Sequence, residues 1–366
     1  MKVALVHDYL NQYGGAERVL EAISELFPKA PIYTLFYDPE KTFFKFARRT
    51  VITSPLQNIP LVKTNHRFFI PLMPLAVSFL DARPYDLVIS SSASYAKGVR
   101  SGSAYHLCYC HTPLRYAWED KEYLVTHPAL QSFPMKIAGS VLAAYLRRWD
   151  RRASKKPNLF IANSRFIADK ISRFYGRDAA VMHPPVDTSV FYPERGRKRN
   201  YFLAVGRFLH YKRFDVIIEA FNKLDEPLVI IGSGPEEDRL KRMVWNKSIS
   251  FVPYVEDERD LRFYYNGARA LLFPQVEDFG LTAAEAIACG TPVVAYRAGG
   301  AVEIVREGIS GLFFDEQTPE AIREAVKRFK RTRFDSRSVA KEGRRFSKER
   351  FQKEFSAVLS AQGFLI

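Results

Sequence analysis

Two carboxylates, Glu277 and Glu285, bracket the turn Asp278-Phe279-Gly280-Leu281. Well upstream, Gly206-Arg207 and Lys212 place two cations just past an apolar run. Arginine offers a planar fork to phosphate oxygens and lysine a mobile point charge, so the pair could clamp a diphosphate. For an isolated Arg–Lys pair the default is a solvated surface loop, although the aromatic stretch Phe208-Leu209-His210-Tyr211 between them is unusual for one. Glu277 stands beside Asp278, and neighbouring carboxylates repel unless something compensates them. Glu285 has a second explanation. Thr282-x-x-Glu285 fits a capping box that only satisfies an orphan backbone donor, and local sequence alone favours the cap.

The elements that must position these side chains surround them. Residues 270–273 are a short apolar run closed by Pro274 and predict a buried strand. Residues 282–289 predict a helix stopped by Gly290, with another strand at 293–296. Glu277 then falls at the carboxyl end of a parallel strand, where open α/β sheets bind ligands. The amides of Phe279, Gly280 and Leu281 would face outward at the positive end of the helix, a place for anionic oxygens. Residues 201–205 likewise run as a strand into Gly206, and strands are expected near 228–231 and 249–252. Gly232-x-Gly234-Pro235 reads as a structural turn opening a helix at proline, with Glu236, Glu237 and Asp238 at its positive end.

The first half alternates in the same way, with segments at 3–7, 17–26, 32–36, 87–90, 105–109, 159–162 and 180–182. A Phe-, Pro- and Arg-rich stretch at about 40–82 breaks the rhythm and is assigned to acceptor or membrane contact. The charged, glycine-containing stretch 194–200 reads as a linker. Two Rossmann-like α/β domains facing a cleft follow. Gly14-Gly15 offers close backbone approach at the first strand–helix turn, or an ordinary tight turn. No Gly-x-Gly-x-x-Gly follows the first strand, which argues against a dinucleotide dehydrogenase. His111 follows a strand and precedes Thr112-Pro113, which puts it at the wall of the cleft, although a lone histidine is more often structural.

Together these residues resemble the signature of retaining glycosyltransferase family 4, nucleotide-sugar enzymes of the two-domain GT-B fold. Gly206-Arg207 with Lys212, and Glu277-x7-Glu285, carry the resemblance. Gly14-Gly15-Ala16-Glu17, Cys110-His111-Thr112-Pro113, Ala162-Asn163-Ser164, Pro184-Pro185-Val186-Asp187 and Gly232-Ser233-Gly234-Pro235-Glu236 agree in order. Phe346-Ser347-Lys348-Glu349-Arg350-Phe351 is similar to the family's closing helix, so the resemblance covers essentially the whole chain. It implies an acceptor domain at 1–193, a donor domain at 200–346, and a helix at 347–366 packing back on the first domain. It implies catalytic roles for Glu277, Arg207, Lys212 and His111. Donor binding would fall to Gly14, Gly15, Gly206, Tyr254, Phe279, Gly280, Leu281 and Glu285, with Glu277 on sugar hydroxyls and Glu285 on the ribose. No Asp-x-Asp stands in a fitting context, and the implied enzyme needs no metal or other cofactor.

The opening His7-Asp8-Tyr9, Gly14-Gly15 and Tyr33-Thr34-Leu35-Phe36-Tyr37-Asp38-Pro39 are similar to the bacterial O-antigen mannosyltransferase branch. That implies transfer of mannose from GDP-mannose to a glycan or lipid-linked glycan in cell-surface polysaccharide synthesis. A UDP-sugar donor, a GT-B phosphorylase or epimerase, and a non-catalytic RNA-binding protein are the alternatives.

Composition bounds these readings. The 366 residues, 47% hydrophobic, are comfortable for two domains and exclude a disordered chain. No apolar run is long enough to cross a bilayer, and the amino terminus reads as a first strand rather than a signal peptide, so a cytoplasmic protein is expected. Cys108, Cys110 and Cys289 are too few for a disulfide framework, and Cys108-x-Cys110-His111 lacks a second ligand pair for zinc. Of the net charge of +15, residues 1–190 hold 25 Lys and Arg against 15 Asp and Glu, leaving 30 against 25 for the rest. The basic excess of the first half includes Lys41–Arg49 and the cluster Arg147, Arg148, Arg151, Arg152, Lys155 and Lys156, which ends a helix-like run. Beside the apolar stretch Phe68-Phe69-Ile70-Pro71-Leu72-Met73-Pro74, preceded by Lys63 and Arg67, it suits an anionic membrane at the inner face of the cell membrane. No nucleic-acid motif is present.

Overall fold

The computed structural model describes residues 1–119, 133–194, 196 and 199–365. The chain divides into two units, Met1–His183 with Gln352–Ile366, and Pro184–Phe351. Each is an α/β unit around one parallel sheet. In the first unit the strands are β1 Val3–His7, β2 Ile32–Thr34, β3 Val51–Thr53, β4 Leu87–Ser92, β5 Tyr105–Cys110, β6 Leu159–Ala162 and β7 Ala180–Val181, in the spatial order β3-β2-β1-β4-β5-β6-β7. In the second they are β8 Tyr201–Val205, β9 Leu228–Ile231, β10 Ile249–Val252, β11 Ala268–Phe273, β12 Val293–Tyr296 and β13 Gly311–Phe314, in the order β10-β9-β8-β11-β12-β13.

Central strands such as β11 read as near-continuous apolar runs because helices cover both faces of the sheet. All six residues of β4 are buried, its three serines included, as are all four of the edge strand β13. Amphipathic helices supply the cover. Gly15–Leu26 turns Val19, Leu20 and Ile23 inward, and Arg165–Tyr175 buries Ile167 and Ile171. The second of these is capped by Ser164, whose hydroxyl accepts from the Ile167 amide at 3.1 Å, and ends at Gly176 in the left-handed region.

Both sheets share one topological feature. The chain winds outward on one side of its first strand and then returns to the other side, so the order reverses between β1 and β4 and again between β8 and β11. Loops leaving the carboxyl ends of such a strand pair diverge, and the crevice between them is where open α/β sheets take ligands.

Several elements differ from expectation. The first unit ends at His183 rather than 193, because the Val186 amide donates to the Phe346 carbonyl at 2.7 Å and Phe191 packs with Tyr265 in the second core. The closing helix is Lys348–Ala361, with Gln352 onward belonging to the first unit. There Gln352 donates to the Ala22 carbonyl at 3.1 Å and to Glu25 at 2.8 Å, and Phe355 and Leu359 are fully buried. Each of those two side chains is worth about 2 kcal/mol of burial. The stretch at 40–82 contains the short edge strand β3 and a series of helical turns from Val62 to Val77. Strand β13 had no counterpart among the expected strands. Of the linker at 194–200, Arg195, Arg197 and Lys198 lie outside the described residues.

Candidate active site

In the second unit most of the candidate side chains gather where the strand order reverses. Strand β8 ends at Val205 and runs into Gly206, whose φ is 155°, and then Arg207, which is exposed. Phe208 is buried between Phe214 and Phe251, with ring centroids 5.1 and 6.0 Å away, so the aromatic stretch anchors the loop that carries the cations. Lys212 closes the short 3-10 turn His210–Lys212. Its ammonium pairs with the Glu277 carboxylate, which arrives from the loop after β11, and both side chains are largely shielded. Two largely shielded charges face one another here, which offsets part of the desolvation cost either would carry alone.

Neighbouring turns hold this loop pair. Gly232 and Gly234 press on the backbone of residues 206–208. A Cβ at Gly232 would collide with the Gly206 carbonyl, and one at Gly234 would lie 2.6 Å from that of Phe208. The Gly232 turn is therefore structural, as expected, but the helix that follows is Glu237–Arg242 with Glu236 at its cap, so Pro235 precedes it. Gln317 donates to the Pro274 carbonyl at 2.7 Å and accepts from Arg213 through its own carbonyl at 3.3 Å, linking the two loops. Gly300 donates to the Glu277 carbonyl at 2.8 Å, and a Cβ there would run into the Phe279 carbonyl. Gln317, Gly299 and Gly300 were absent from the sequence-derived set. Ala298-Gly299-Gly300 after a strand was the available signal.

The helix after this turn is Leu281–Ala288, with Gly280 as its cap at φ 111° and no side-chain capping bond. Thr282 therefore lies inside the helix, and the capping-box explanation of Glu285 is overturned. The amides of Gly280 and Leu281 precede the first bond of that helix, from Ala283 to the Gly280 carbonyl at 3.0 Å. Phe279 packs inward against Phe346. Glu285 is 1% exposed, and its Oε2 accepts from the Tyr265 hydroxyl at 2.8 Å. Tyr254 stands beyond the outermost strand β10, exposed.

In the first unit the reversal brings together the ends of β1, β4 and β5. His7 is the last residue of β1 and lies in register with Ser91 of β4. His7 Nδ1 is 3.1 Å from Ser91 Oγ, which is 2.8 Å from His111 Nε2 just past β5. On its other side, His7 Nε2 is 3.4 Å from Glu17 Oε1, while Glu17 Oε2 accepts from the Gly14 amide at 2.8 Å. Burial pushes the Glu17 carboxyl up, but the hydrogen bond and charge of His7 together with backbone amides outweigh it and hold the group below its ordinary value. The two isolated candidates of the sequence, Gly14-Gly15 and His111, thus belong to one network. His7 and Glu17 stood in the quoted motifs, but neither they nor Ser91 were among the candidate site residues, because strand register brings His7 beside Ser91. Asp8 is engaged elsewhere, accepting from the amides of Ala93, Tyr95 and Ala96, each at 2.6 Å. Asn163 donates to the His111 carbonyl at 2.9 Å. The adjacent Thr112 is 5% exposed, and its hydroxyl has no partner among the described residues. Cys108 and Cys110 are buried free thiols in β5, and burial pushes Cys108 up to about 12.

Comparison with known proteins covers both units. Residues 13–190 match the family described as Glycosyltransferase Family 4, and residues 188–346 match Glycosyl transferases group 1. An uncharacterized glycosyltransferase of Methanocaldococcus jannaschii is 25% identical over 56% of this chain and 58% of its own. A D-inositol 3-phosphate glycosyltransferase of Streptomyces bingchenggensis is 33% identical over 43% of this chain and 42% of its own. The chain thus spans roughly half the length of these curated relatives. Among solved structures, Anabaena HepE in complex with UDP superposes with a TM-score of 0.71 at 18% identity, covering 99% of this chain and 100% of that one. Sucrose-phosphate synthase from Thermosynechococcus elongatus gives 0.69 at 19%, covering 99% of each. At such identities these likenesses establish the fold.

Proposed function

Since this chain belongs to the family 4 glycosyltransferases of GT-B fold, we propose that it moves a hexose from a nucleoside-diphosphate sugar to a glycan or lipid-linked glycan. The observation that carries the reading is the Lys212–Glu277 pair at the β8/β11 reversal, with Arg207 on the same loop as the lysine. A sugar leaving a diphosphate needs negative charge stabilised on the departing group. Preorganised cations and amides provide that stabilisation without reorganising at the moment of reaction. Arrival of a diphosphate would give Lys212 a new anionic partner and release Glu277 to accept from sugar hydroxyls. Arg207 and the amides of Gly280 and Leu281 would share the phosphate charge, and Glu285 with Gly206 and Tyr254 would complete nucleotide binding. As the anomeric carbon–oxygen bond to the diphosphate breaks, a bond forms to the acceptor oxygen. Its proton passes to the leaving phosphate, and configuration is retained, as the family resemblance implies.

Mannose from GDP-mannose, used in cell-surface polysaccharide synthesis, is the donor we propose from the opening motifs. A UDP-sugar is the second reading, favoured by the UDP held in the HepE structure. We assign the charge neutralisation to protein cations rather than a metal. Melting curves with GDP, GDP-mannose, UDP and UDP-glucose decide the base, since a ligand bound only by the native state raises its apparent stability. Stabilisation by GDP and GDP-mannose, with transfer persisting in EDTA, is expected. Stabilisation by the uridine pair alone would replace the donor, and turnover lost to EDTA and restored by magnesium would replace the metal-free clamp.

Contact with the inner face of an anionic membrane belongs to the same proposal. Phe68, Leu72, Leu75 and Phe79 are exposed along the helical turns from His66 to Val77 and the turn that follows. On the helix Phe133–Ala153, Val141, Tyr145, Arg148 and Arg152 share one face and are also exposed. The Tyr145 hydroxyl reaches the Pro71 carbonyl at 3.5 Å, so the two stripes adjoin. Arg147 and Arg151 lie over the Trp118 ring at 5.5 and 4.9 Å, and Arg151 remains exposed beside Arg152. Among the described residues, no helix is long and apolar enough to cross a membrane.

A further inference from the structure

We propose that a cavity at the amino ends of β8, β11 and β12 binds a phosphate monoester, at a site separate from the one where the strand order reverses. The cavity holds about 180 Å³ and is lined by Arg199, Arg269, Thr332 and Ser336, with Pro292, Phe329 and Phe334 as its apolar wall. Arg199 stands just before β8, Arg269 is the second residue of β11, and Pro292 immediately precedes β12. The candidate active site lies at the other ends of these strands, on the order of 15–20 Å away along β11. Among the described residues, no acidic side chain lines the cavity.

Its charge is unbalanced. The Arg199 guanidinium donates to the Ala268 carbonyl at 3.0 Å, Thr291 Oγ1 at 2.7 Å, the Cys289 carbonyl at 3.5 Å and Ser336 Oγ at 3.0 Å. All four acceptors are neutral, and Arg199 makes no ion pair among the described residues. Burial lowers its pKa from the ordinary value, with the Cys289 thiol as the opposing influence. A guanidinium does not give up its proton, so the cost of shielding it without a counter-ion falls when an anion arrives.

Arg269 is held differently. Its Nη1 donates to Glu226 Oε2, and its guanidinium lies over the Phe202 ring at 4.9 Å. These two contacts fix the plane of a fork that suits phosphate oxygens. Glu226 also pairs with Lys330, so one carboxylate serves two cations. Arg199, Arg269 and Lys330 against Glu226 leave two positive charges, which a phosphate monoester matches and a carboxylate or phosphodiester does not. Asp335, beside Ser336 in the chain, is turned onto its own helix, accepting from the Ser338 amide and hydroxyl, each at 2.8 Å. Arg331, Arg333 and Arg337 alternate with the lining residues and are exposed, which draws anions toward the rim. Phe329 and Phe334 stack at 5.3 Å with their planes 14° apart, an apolar surface for the organic part of an ester.

The test is calorimetric titration of the full chain with potassium phosphate at constant ionic strength. We expect binding by the wild type and by Arg207→Gln, which leaves the cavity intact. In Arg269→Gln the affinity should be weaker by roughly tenfold or more, since charge-assisted hydrogen bonds are the strong ones. Absence of binding, an unchanged affinity in Arg269→Gln, or a loss in Arg207→Gln overturns the proposal. Should Arg269→Gln fail to fold, Thr332→Asp takes its place. A carboxylate built into the cavity should raise the melting temperature without phosphate and abolish phosphate binding; an unchanged phosphate affinity overturns the site. Glycerol 3-phosphate in the same titration, and sedimentation with phosphatidic acid vesicles, distinguish a soluble ester from a lipid headgroup. Tighter binding of glycerol 3-phosphate than of inorganic phosphate assigns the first, and vesicle capture abolished by Arg269→Gln assigns the second. Binding of inorganic phosphate that neither ester improves overturns the ester. These readouts need no turnover, so they stand or fall apart from the proposed transfer reaction.

Discussion

Glu277 and Glu285 belong to one motif but live in different surroundings, and they should fail differently. Glu277 shares a shielded ion pair with Lys212, which an arriving diphosphate would exchange under the proposed function. If it grips the sugar as positive charge grows at the anomeric carbon, Glu277→Gln removes an interaction strongest in the transition state. The expected outcome is a large fall in kcat with little change in nucleotide affinity, read by initial rates beside GDP titration. Near-normal turnover would remove the proposed site. Glu285 is buried against Tyr265. Glu285→Gln should mainly weaken nucleotide binding; a loss of about 1–3 kcal/mol of stability with unchanged affinity would instead make it a structural partner of Tyr265. The residue types of this site were legible in the sequence, since Arg207, Lys212 and Glu277 announce themselves by charge and by their place after strands. Their pairing was not, because the two loops are joined only when β11 pairs with β8. The line from Glu17 to His111 was hidden for the same reason, each member being unremarkable beside its sequence neighbours.

Strands were legible where an apolar run fell in the regular strand–helix alternation, even when as short as the four residues of β9 or β12. Strands β3 and β13 were missed: β3 lies inside the stretch at 40–82 that breaks the rhythm, and β13 follows the last strand of the expected series. The glycine at 280 misled in another way. Its positive φ starts the helix before Thr282, so a sequence that spells a capping box never forms one. Within β5 the sheet also stores a pH dependence. His106 is fully buried with Nε2 2.8 Å from Ser90 Oγ, and desolvation, with the Lys156 charge adding to it, lowers its pKa to about 3. The unfolded chain binds a proton near pH 6.5 that the folded one refuses, so the stabilisation is whole above 6.5 and is lost as pH falls toward 3. In that window His106 costs up to about 1.4 kcal/mol per pH unit. Urea midpoints at pH 7, 6, 5 and 4 should fall more steeply for the wild type than for His106→Asn. Parallel lines would show that the ring is protonated without penalty.

At the scale of the molecule, the exposed stripe of Phe68, Leu72, Leu75 and Phe79 with Arg148 and Arg152 predicts a vesicle-binding face. Phe68→Ser with Phe79→Ser, and separately Arg148→Gln with Arg152→Gln, should each weaken sedimentation with anionic vesicles while leaving nucleotide binding intact. The arginine pair should matter less as salt rises. Undiminished binding in both variants would refute the face. Another consequence comes from the closing helix, whose residues from Gln352 onward complete the core begun by Met1–His183. On a ribosome the first unit must wait for its last piece while the whole of Pro184–Phe351 is made, a delay on the order of ten seconds or more at ordinary elongation rates. The contiguous second unit can finish first, reversing the usual order of maturation. Until then the surface awaiting Phe355 and Leu359 stays bare, and the nascent chain is expected to attract chaperones that shield apolar patches.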